Sequence, residues 1–350
     1  MKILIIKFRN IGDVLLSTPL ISNLKNIYPN TTIDFALNKG CEDMVSNNPN
    51  VNNIIVYDRP RIKKLGIFAQ LKEEIRFTRN IRSNNYDMVI NLTEGDRGAQ
   101  LAFLSGAKSK LGFPVRKGLF SKIKIFDKLG DDKKWQHTVE KDLQFINLLG
   151  KEVGNKEVRI YWSSRVEQEV DKILSDNNIK QFVHIHPVSR WMFKCWEDDR
   201  IASIIDYLQQ DKGLKVIITG APAKKELDRI DKILKLCKTE PVNLSEKLTL
   251  KHLACLSSKA KLFFGVDTAP MHIAAATNTP VVALFGASEA IKWGPWDNYR
   301  GNQYTNNGFQ INGRHKVFAD SDHKIVYQGG VKKCQGMLNI NTRDVLERLK

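Results

Sequence analysis

At 350 residues the chain has room for two domains of ordinary size. With 42% hydrophobic and 27% charged residues it reads as a globular protein, and no apolar run approaches the roughly 18 residues of a membrane span, which excludes an integral membrane helix. The formal net charge of +17 is uneven: from Arg59 to Lys124 there are 15 Lys and Arg against 5 Asp and Glu, so this segment is expected to meet an anionic partner. Nucleic acid, an anionic membrane surface and a phosphorylated substrate all fit that charge, and so does a merely solvated basic face.

Lys2 to Phe8 reads as a buried strand, followed by a turn and a helix from about Asp13 to Asn26 with Val14, Leu15, Ile21 and Leu24 on its apolar positions. The opening MKILIIKFRN has no small-residue cleavage site, so it is expected to be this first strand and not a signal peptide, with the protein staying in the cytoplasm. Ile33–Leu37, Ile54–Tyr57 and Met88–Leu92 are further strands, and Phe68–Arg82 is a helix in which Phe68, Leu71 and Ile75 share a face. Polar residues 150–178 mark a domain boundary, placed at 165. The alternation then restarts, with strands at Phe182–His186, Lys215–Thr219, Lys261–Gly265 and Pro280–Phe285. Helices are expected near Asp198–Gln209, Lys224–Leu236, Leu250–Ser257 and Ala269–Thr277. Residues 298–335, rich in Gly, Asn and Lys, read as loop, and 341–350 as a terminal helix with Thr342 as its N-cap. The pattern predicts an α/β chain of two Rossmann-like halves, 1–165 and 166–340, each built on a parallel sheet. Five scattered cysteines without a CxxC pair point to reduced thiols, neither a disulfide framework nor a zinc site.

Parallel sheets bind ligands at the carboxyl ends of their strands, so the residues just after each strand carry the functional expectation. The chain has neither GxGxxG nor a Walker A pattern. After the first strand, in KFRNIGDVLLSTP, Asp13 is either a helix cap or a general base that takes a proton from an attacking hydroxyl. In HIHPVSRWMFKCW, His184 and His186 point to one side of a strand, but without a third ligand they read as structural. Ser189, Arg190 and Lys194 make an anion site in the following loop, which Trp191, Phe193 and Trp196 either wall or anchor to the core. In FFGVDTAPMHIAAA, Pro270 suits a first helical position, so that Thr268 and Ala269 offer backbone N–H groups to a phosphate. Asp267 ends the strand there and is placed to accept bonds from sugar hydroxyls, and His272 either donates to the same anion or fixes the loop.

Together GDVLLSTP, SRWMFKCW and GVDTAPMHIAAATNTPVVALFG, in this order, resemble the ADP-heptose:lipopolysaccharide heptosyltransferases, glycosyltransferase family 9, over roughly residues 1–296. The SRW-x-FKCW wording is most similar to the branch of the family that adds a third, branching heptose. The resemblance implies a GT-B fold, two Rossmann-like domains facing across a cleft, and metal-independent inverting transfer with no cofactor beyond the ADP-heptose donor. It implies that Asp13 is the general base and that Lys194, with Ser189 and Arg190 nearby, neutralises the diphosphate leaving group. Thr268, Ala269 and His272 would bind phosphate, Asp267 would orient the heptose, and Glu226, after the turn Gly220-Ala221-Pro222, would reach the nucleotide ribose. Val188 and Ala269 stand where members often have a hydroxyl residue and glycine. In this light Arg61, Lys63, Lys64 and Arg79 are expected to bind the lipid A–inner core acceptor and to hold the protein peripherally at the anionic cytoplasmic face of the inner membrane, with no nucleic acid partner. The competing readings are a same-fold transferase for another sugar or acceptor, and a non-catalytic nucleic-acid-binding protein, against which the basic stretch offers only Phe68 and Phe77 for stacking.

Overall fold

The run Lys2–Lys7 buries side chains on both of its faces, which only a strand in the middle of a covered parallel sheet does. The computed structural model describes residues 1–116, 118–132 and 137–349. The chain divides into two units, Met1–Tyr161 and Trp162–Lys350, a division a few residues before the one placed at 165. Unit 1 contains β1 (Lys2–Lys7), α1 (Ile11–Leu16), α2 (Thr18–Ile27), β2 (Thr32–Asn38), β3 (Asn53–Tyr57), α3 (Arg59–Lys63), α4 (Ile67–Ser83), β4 (Met88–Asn91), α5 (Asp96–Leu104), β5 (Ser109–Gly112), β6 (Lys128–Leu129) and α6 (Thr138–Leu148). Its six strands are all parallel, in the order β3-β2-β1-β4-β5-β6 of a doubly wound nucleotide-binding sheet.

Unit 2 runs α7 (Ser164–Asp176), β7 (Phe182–His186), α8 (Asp198–Gln210), β8 (Lys215–Ile218), α9 (Lys224–Leu236), β9 (Val242–Asn243), α10 (Leu250–Lys259), β10 (Leu262–Val266), α11 (Ala269–Ala276), β11 (Val281–Phe285) and α12 (Ala290–Trp293). It continues with β12 (Gly308–Asn312), β13 (His315–Ala319), β14 (Ile325–Gln328), β15 (Val331–Cys334), α13 (Gln335–Asn339) and α14 (Thr342–Leu349). The sheet order β12-β13-β11-β10-β7-β8-β9 repeats the same winding, with β12 added antiparallel at one edge.

Several elements depart from the sequence reading, each for a local reason. The first helix is two: Pro19 cannot donate to Leu15, and the Thr18 hydroxyl donates to that carbonyl at 2.9 Å while Ser17 donates to Val14 at 2.7 Å. Residues 298–335 are not all loop: from 308 to 334 the two-residue turns Gly313-Arg314 and Gly329-Gly330 close two hairpins, the glycines supplying positive φ. The terminal helix α14 is capped by Asn341, whose side chain accepts from the Arg343 N–H at 2.8 Å, so Thr342 is already helical. That helix is not a separate piece, because Val345 lies fully buried in the core of unit 2 with Ile340, Met337 and Trp196. In α4 the face shared by Phe68, Leu71 and Ile75 points to solvent, and the helix packs on the sheet through Phe77 and Ile81.

Close backbone approach sets the position of the β10 end. A Cβ on Gly265 would lie 2.7 Å from the carbonyl oxygen of His186 on the neighbouring β7 and 2.9 Å from the Phe263 ring. A backbone oxygen cannot swing aside, so Gly265→Ala is expected to destabilise unit 2 by about 1–3 kcal/mol, read as a lower unfolding midpoint. A midpoint equal to wild type would show that β7 and β10 can part at no cost.

Candidate active site

In each sheet the strand order reverses direction beside the first strand of the unit, between β1 and β4 and between β7 and β10, and ligands of doubly wound sheets settle outside the carboxyl ends at such points. The sequence places charged and hydroxyl side chains there. In unit 2 the loop after β7 carries Ser189, Arg190 and Lys194, the α9 N-terminus after β8 carries Glu226, and the loop after β10 carries Asp267 and Thr268.

Asp267 is the centre of this group. Its Oδ2 accepts from Lys194 Nζ at 2.6 Å and from the Ser288 hydroxyl at 2.5 Å, and its Oδ1 lies 3.7 Å from His272 Nε2. Asp267, Lys194 and His272 are buried or nearly so and Ser288 is half-buried, and an unpaired carboxylate in such a place would cost several kcal/mol, which explains why cation, hydroxyl and imidazole converge on it. Ser288 follows β11 and comes from outside every motif singled out above; a hydroxyl directly after the strand-ending Phe-Gly-Ala was its only signal. Lys194 is presented by a 3-10 turn over Met192–Lys194, and its ammonium sits 5.0 Å from the Trp191 ring centroid, a cation–π contact.

Trp191 is 46% exposed, so it walls the site, whereas Trp196 is fully buried and donates its indole N–H to Ile340 O at 3.1 Å. Ser189 is buried and its Oγ accepts from the Trp191 N–H at 3.2 Å, which fixes the loop. Thr268 is the N-cap of α11, Ala269 its first residue and Pro270 its second, one place later than the sequence reading put the proline. Glu226 is 4% exposed and accepts from the Ala221 N–H at 3.1 Å, so its first role is to hold the Gly220-Ala221-Pro222 turn. Burial pushes the Glu226 carboxyl up, while the Ala221 amide and then the charge of Arg190 pull it down, which places Arg190 within electrostatic reach of Glu226.

His184 and His186 are structural. His184 Nδ1 meets Ser257 Oγ at 2.9 Å, and both histidines meet Thr219 Oγ1, at 2.8 and 2.9 Å. Burial pushes His184 down to about 3 and His186 down to about 4, so both imidazoles are neutral at physiological pH. Among the described residues no group of three or more His, Cys, Asp or Glu could hold a metal. The five cysteines are free, and burial pushes the thiol of Cys41 up to about 12 and that of Cys195, beside Lys194, up to about 11, which leaves them inert.

In unit 1 the helix that follows β1 carries Asp13, the third residue of α1, with 6% exposure. Its Oδ2 accepts from the Asn10 N–H at 3.3 Å, the reciprocal arm of a capping box, and its Oδ1 accepts from Arg9 Nε at 3.2 Å. Next to it lies a buried ion pair that the sequence did not disclose, Lys7 Nζ bound to both oxygens of Asp142 at 2.7 and 2.9 Å. Burial pushes the Asp142 carboxyl up, Lys7 pulls it back, and the charge of Asp13 adds to the upward push. Arg61, Lys63, Lys64 and Arg79 all lie exposed on α3, α4 and the turn between them, and Arg61 is already paired with Glu73 at 2.6 Å.

Residues 75–317 match the model of glycosyltransferase family 9 (heptosyltransferase). The chain belongs to glycosyltransferase family 9. This glycosyltransferase is 35% identical over 290 residues to lipopolysaccharide heptosyltransferase 3 of Escherichia coli (strain K12), covering 81% of this chain and 82% of that one. A family 9 glycosyl transferase from Veillonella parvula superposes with a TM-score of 0.80 at 22% identity, covering 99% of this chain and 95% of that one. The E. coli heptosyltransferase WaaC, solved with ADP, does so with a TM-score of 0.75 at 19% identity, covering 100% and 99%. The fold of the family 9 chain is therefore GT-B, with two α/β units each wound about a parallel sheet.

Proposed function

We propose that this glycosyltransferase moves heptose from ADP-heptose to the inner core of lipopolysaccharide, adding a third, branching heptose with inversion at the anomeric carbon. The observation that carries the reading is the Lys194–Asp267–Ser288 cluster at the point where the unit 2 sheet reverses, joined to the similarity with heptosyltransferase 3 over most of both chains. An α/β site without a nucleotide-phosphate loop motif still needs cations and helix amides for a diphosphate, and Lys194, Arg190, Thr268 and Ala269 supply them.

In the transfer the acceptor hydroxyl gives its proton to the Asp13 carboxylate as its oxygen bonds to the anomeric carbon. The bond from that carbon to the phosphate oxygen breaks, and its electron pair leaves with ADP. Positive charge develops on the sugar and negative charge on the leaving diphosphate, so Lys194 and the amides at the α11 start stabilise what grows in the transition state. Asp267 accepts bonds from the heptose hydroxyls, His272 and Ser189 support the phosphates, and Glu226 meets the ribose. No metal is assigned to this work. Arg61, Lys63, Lys64 and Arg79 meet the phosphates of the lipid A–inner core acceptor at the cytoplasmic face of the inner membrane; no described helix is long and apolar enough to cross a membrane.

The test is release of ADP from ADP-heptose, with and without inner-core acceptor carrying two heptoses. Acceptor-dependent turnover is expected. Tight ADP binding without turnover would keep the nucleotide site and discard the sugar or the acceptor, and no ADP binding would discard the donor site itself.

A further inference from the structure

Helix α4 shows an outward face that its own fold leaves uncovered. Ile67 is 83% exposed, Phe68 90%, Leu71 57% and Ile75 42%. At about 100° per residue these four fall in one stripe along the helix, while Phe77 and Ile81 face the sheet on the other side. Lys72, Arg76 and Arg79 run along one border of the stripe, and Arg59, Lys63 and Lys64 stand at its N-terminal end. Between Arg59 and Arg82 there are 8 Lys and Arg against 2 Asp and Glu, and both acids are engaged, Glu73 by Arg61 and Arg76 and Glu74 by Arg97. Arg59, Lys63, Lys64, Lys72 and Arg79 have no ion-pair partner among the described residues.

We infer that α4 is a membrane-docking helix: Ile67, Phe68, Leu71 and Ile75 enter the headgroup region of an anionic bilayer while the adjoining cations hold lipid phosphates. The chemistry selects this occupant over others. A second copy would bring one strongly basic segment against another, and like charges at that contact repel. A nucleic acid would satisfy the cations and leave an apolar stripe of aliphatic side chains and one phenyl ring wet. A bilayer of anionic lipids supplies both partners, and a helix with an apolar stripe bordered by Lys and Arg lies in its interface. The purpose, access to an acceptor anchored in lipid, rests on the proposed function; the docking itself does not. It goes beyond electrostatic attraction, because an inserted stripe holds when salt screens the charges.

The experiment is flotation of the full chain with vesicles of phosphatidylcholine alone or mixed with phosphatidylglycerol, at low and high salt. Wild type is expected to float with the phosphatidylglycerol vesicles and to retain part of that binding at high salt. Phe68→Ser/Leu71→Ser, which keeps every charge and alters only exposed positions, is expected to weaken binding about tenfold or more and to abolish the salt-resistant part. Its melting midpoint and its turnover on lipid-free core oligosaccharide should match wild type. Wild type that stays with the soluble fraction overturns the inference. So does a double variant that floats like wild type, since binding is then charge alone, and so does a dimer in sedimentation that the substitutions dissociate. Absence of turnover on the lipid-free acceptor in wild type would instead overturn the transferase reading and leave the flotation result standing.

Discussion

Asp13→Asn is expected to lower acceptor-dependent turnover by about two to four orders of magnitude, the range for loss of a positioned general base. Asparagine is nearly isosteric and keeps an acceptor oxygen for the Asn10 N–H, so the start of α1 should survive with a change of about 1 kcal/mol or less. ADP affinity should be unchanged, because the side chains proposed to bind the nucleotide belong to unit 2 and Asp13 to unit 1. The measurement is therefore kcat, KM for the acceptor and ADP binding on the same preparation. A fall confined to kcat, with ADP binding intact, assigns the proton transfer to Asp13. Turnover within tenfold of wild type would leave Asp13 as a helix cap and a partner for Arg9, the plainer of its two sequence readings.

The second large effect is on stability in mild acid. Burial holds His184 near 3 and both His186 and His315 near 4, against an ordinary value of 6.5. Below pH 6.5 the unfolded chain takes up protons at these three positions and the folded chain does not, so the unfolded state gains from every further drop. Stability is full above about pH 6.5, falls as pH drops towards about 4, and levels off below about 3, with a slope approaching 1.4 kcal/mol per pH unit for each histidine. Among the carboxylates of unit 2, Asp297 is pushed up by burial but pulled lower overall by backbone N–H groups, whereas Glu226, raised by burial, gains its proton earlier in the folded state and offsets part of the loss. All three histidines are in unit 2, so denaturant melts at pH 7 and pH 5 should show its transition moving while that of unit 1 moves little. Imidazole shifts followed by NMR provide the direct check. Three side chains titrating near 6.5, or a unit 2 transition indifferent to pH over this range, would contradict the burial argument.

The alternating strands and helices were legible because fully buried strands such as Ile3–Ile6 and Val281–Phe285 are short continuous apolar runs, which little else in a globular chain produces. The strand-end motifs were legible for a related reason: Asp267 and Lys194 are polar residues set against apolar neighbours, where only a partner or a ligand justifies them. What escaped was of two kinds. Pairings between distant positions leave no trace in a window of sequence, as with Lys7 and Asp142, or Ser288 and Asp267. The hairpins over 308–334 were different, because Gly313-Arg314 and Gly329-Gly330 did mark two-residue turns and the surrounding Lys and Asn obscured the strands on either side. The direction in which α4 faces was hidden for a third reason. Periodicity identifies an apolar stripe, but it does not say whether the sheet or the outside meets it.

The Lys194–Asp267 pair also bears on how a catalytic cycle closes. An ammonium held at 2.6 Å from a carboxylate already has a counter-charge, so a nucleotide binding Lys194 as proposed would have to compete with an internal anion for the same charge. That competition would lower affinity for ADP relative to what a solitary lysine would give. Under the roles proposed above, Asp267 would lose its bonds to the heptose once the sugar has gone to the acceptor and would reclaim Lys194, which would loosen the spent nucleotide. The carboxylate proposed to position the donor would then double as the agent of product release, and replacing it would trade weaker sugar recognition for stronger inhibition by ADP.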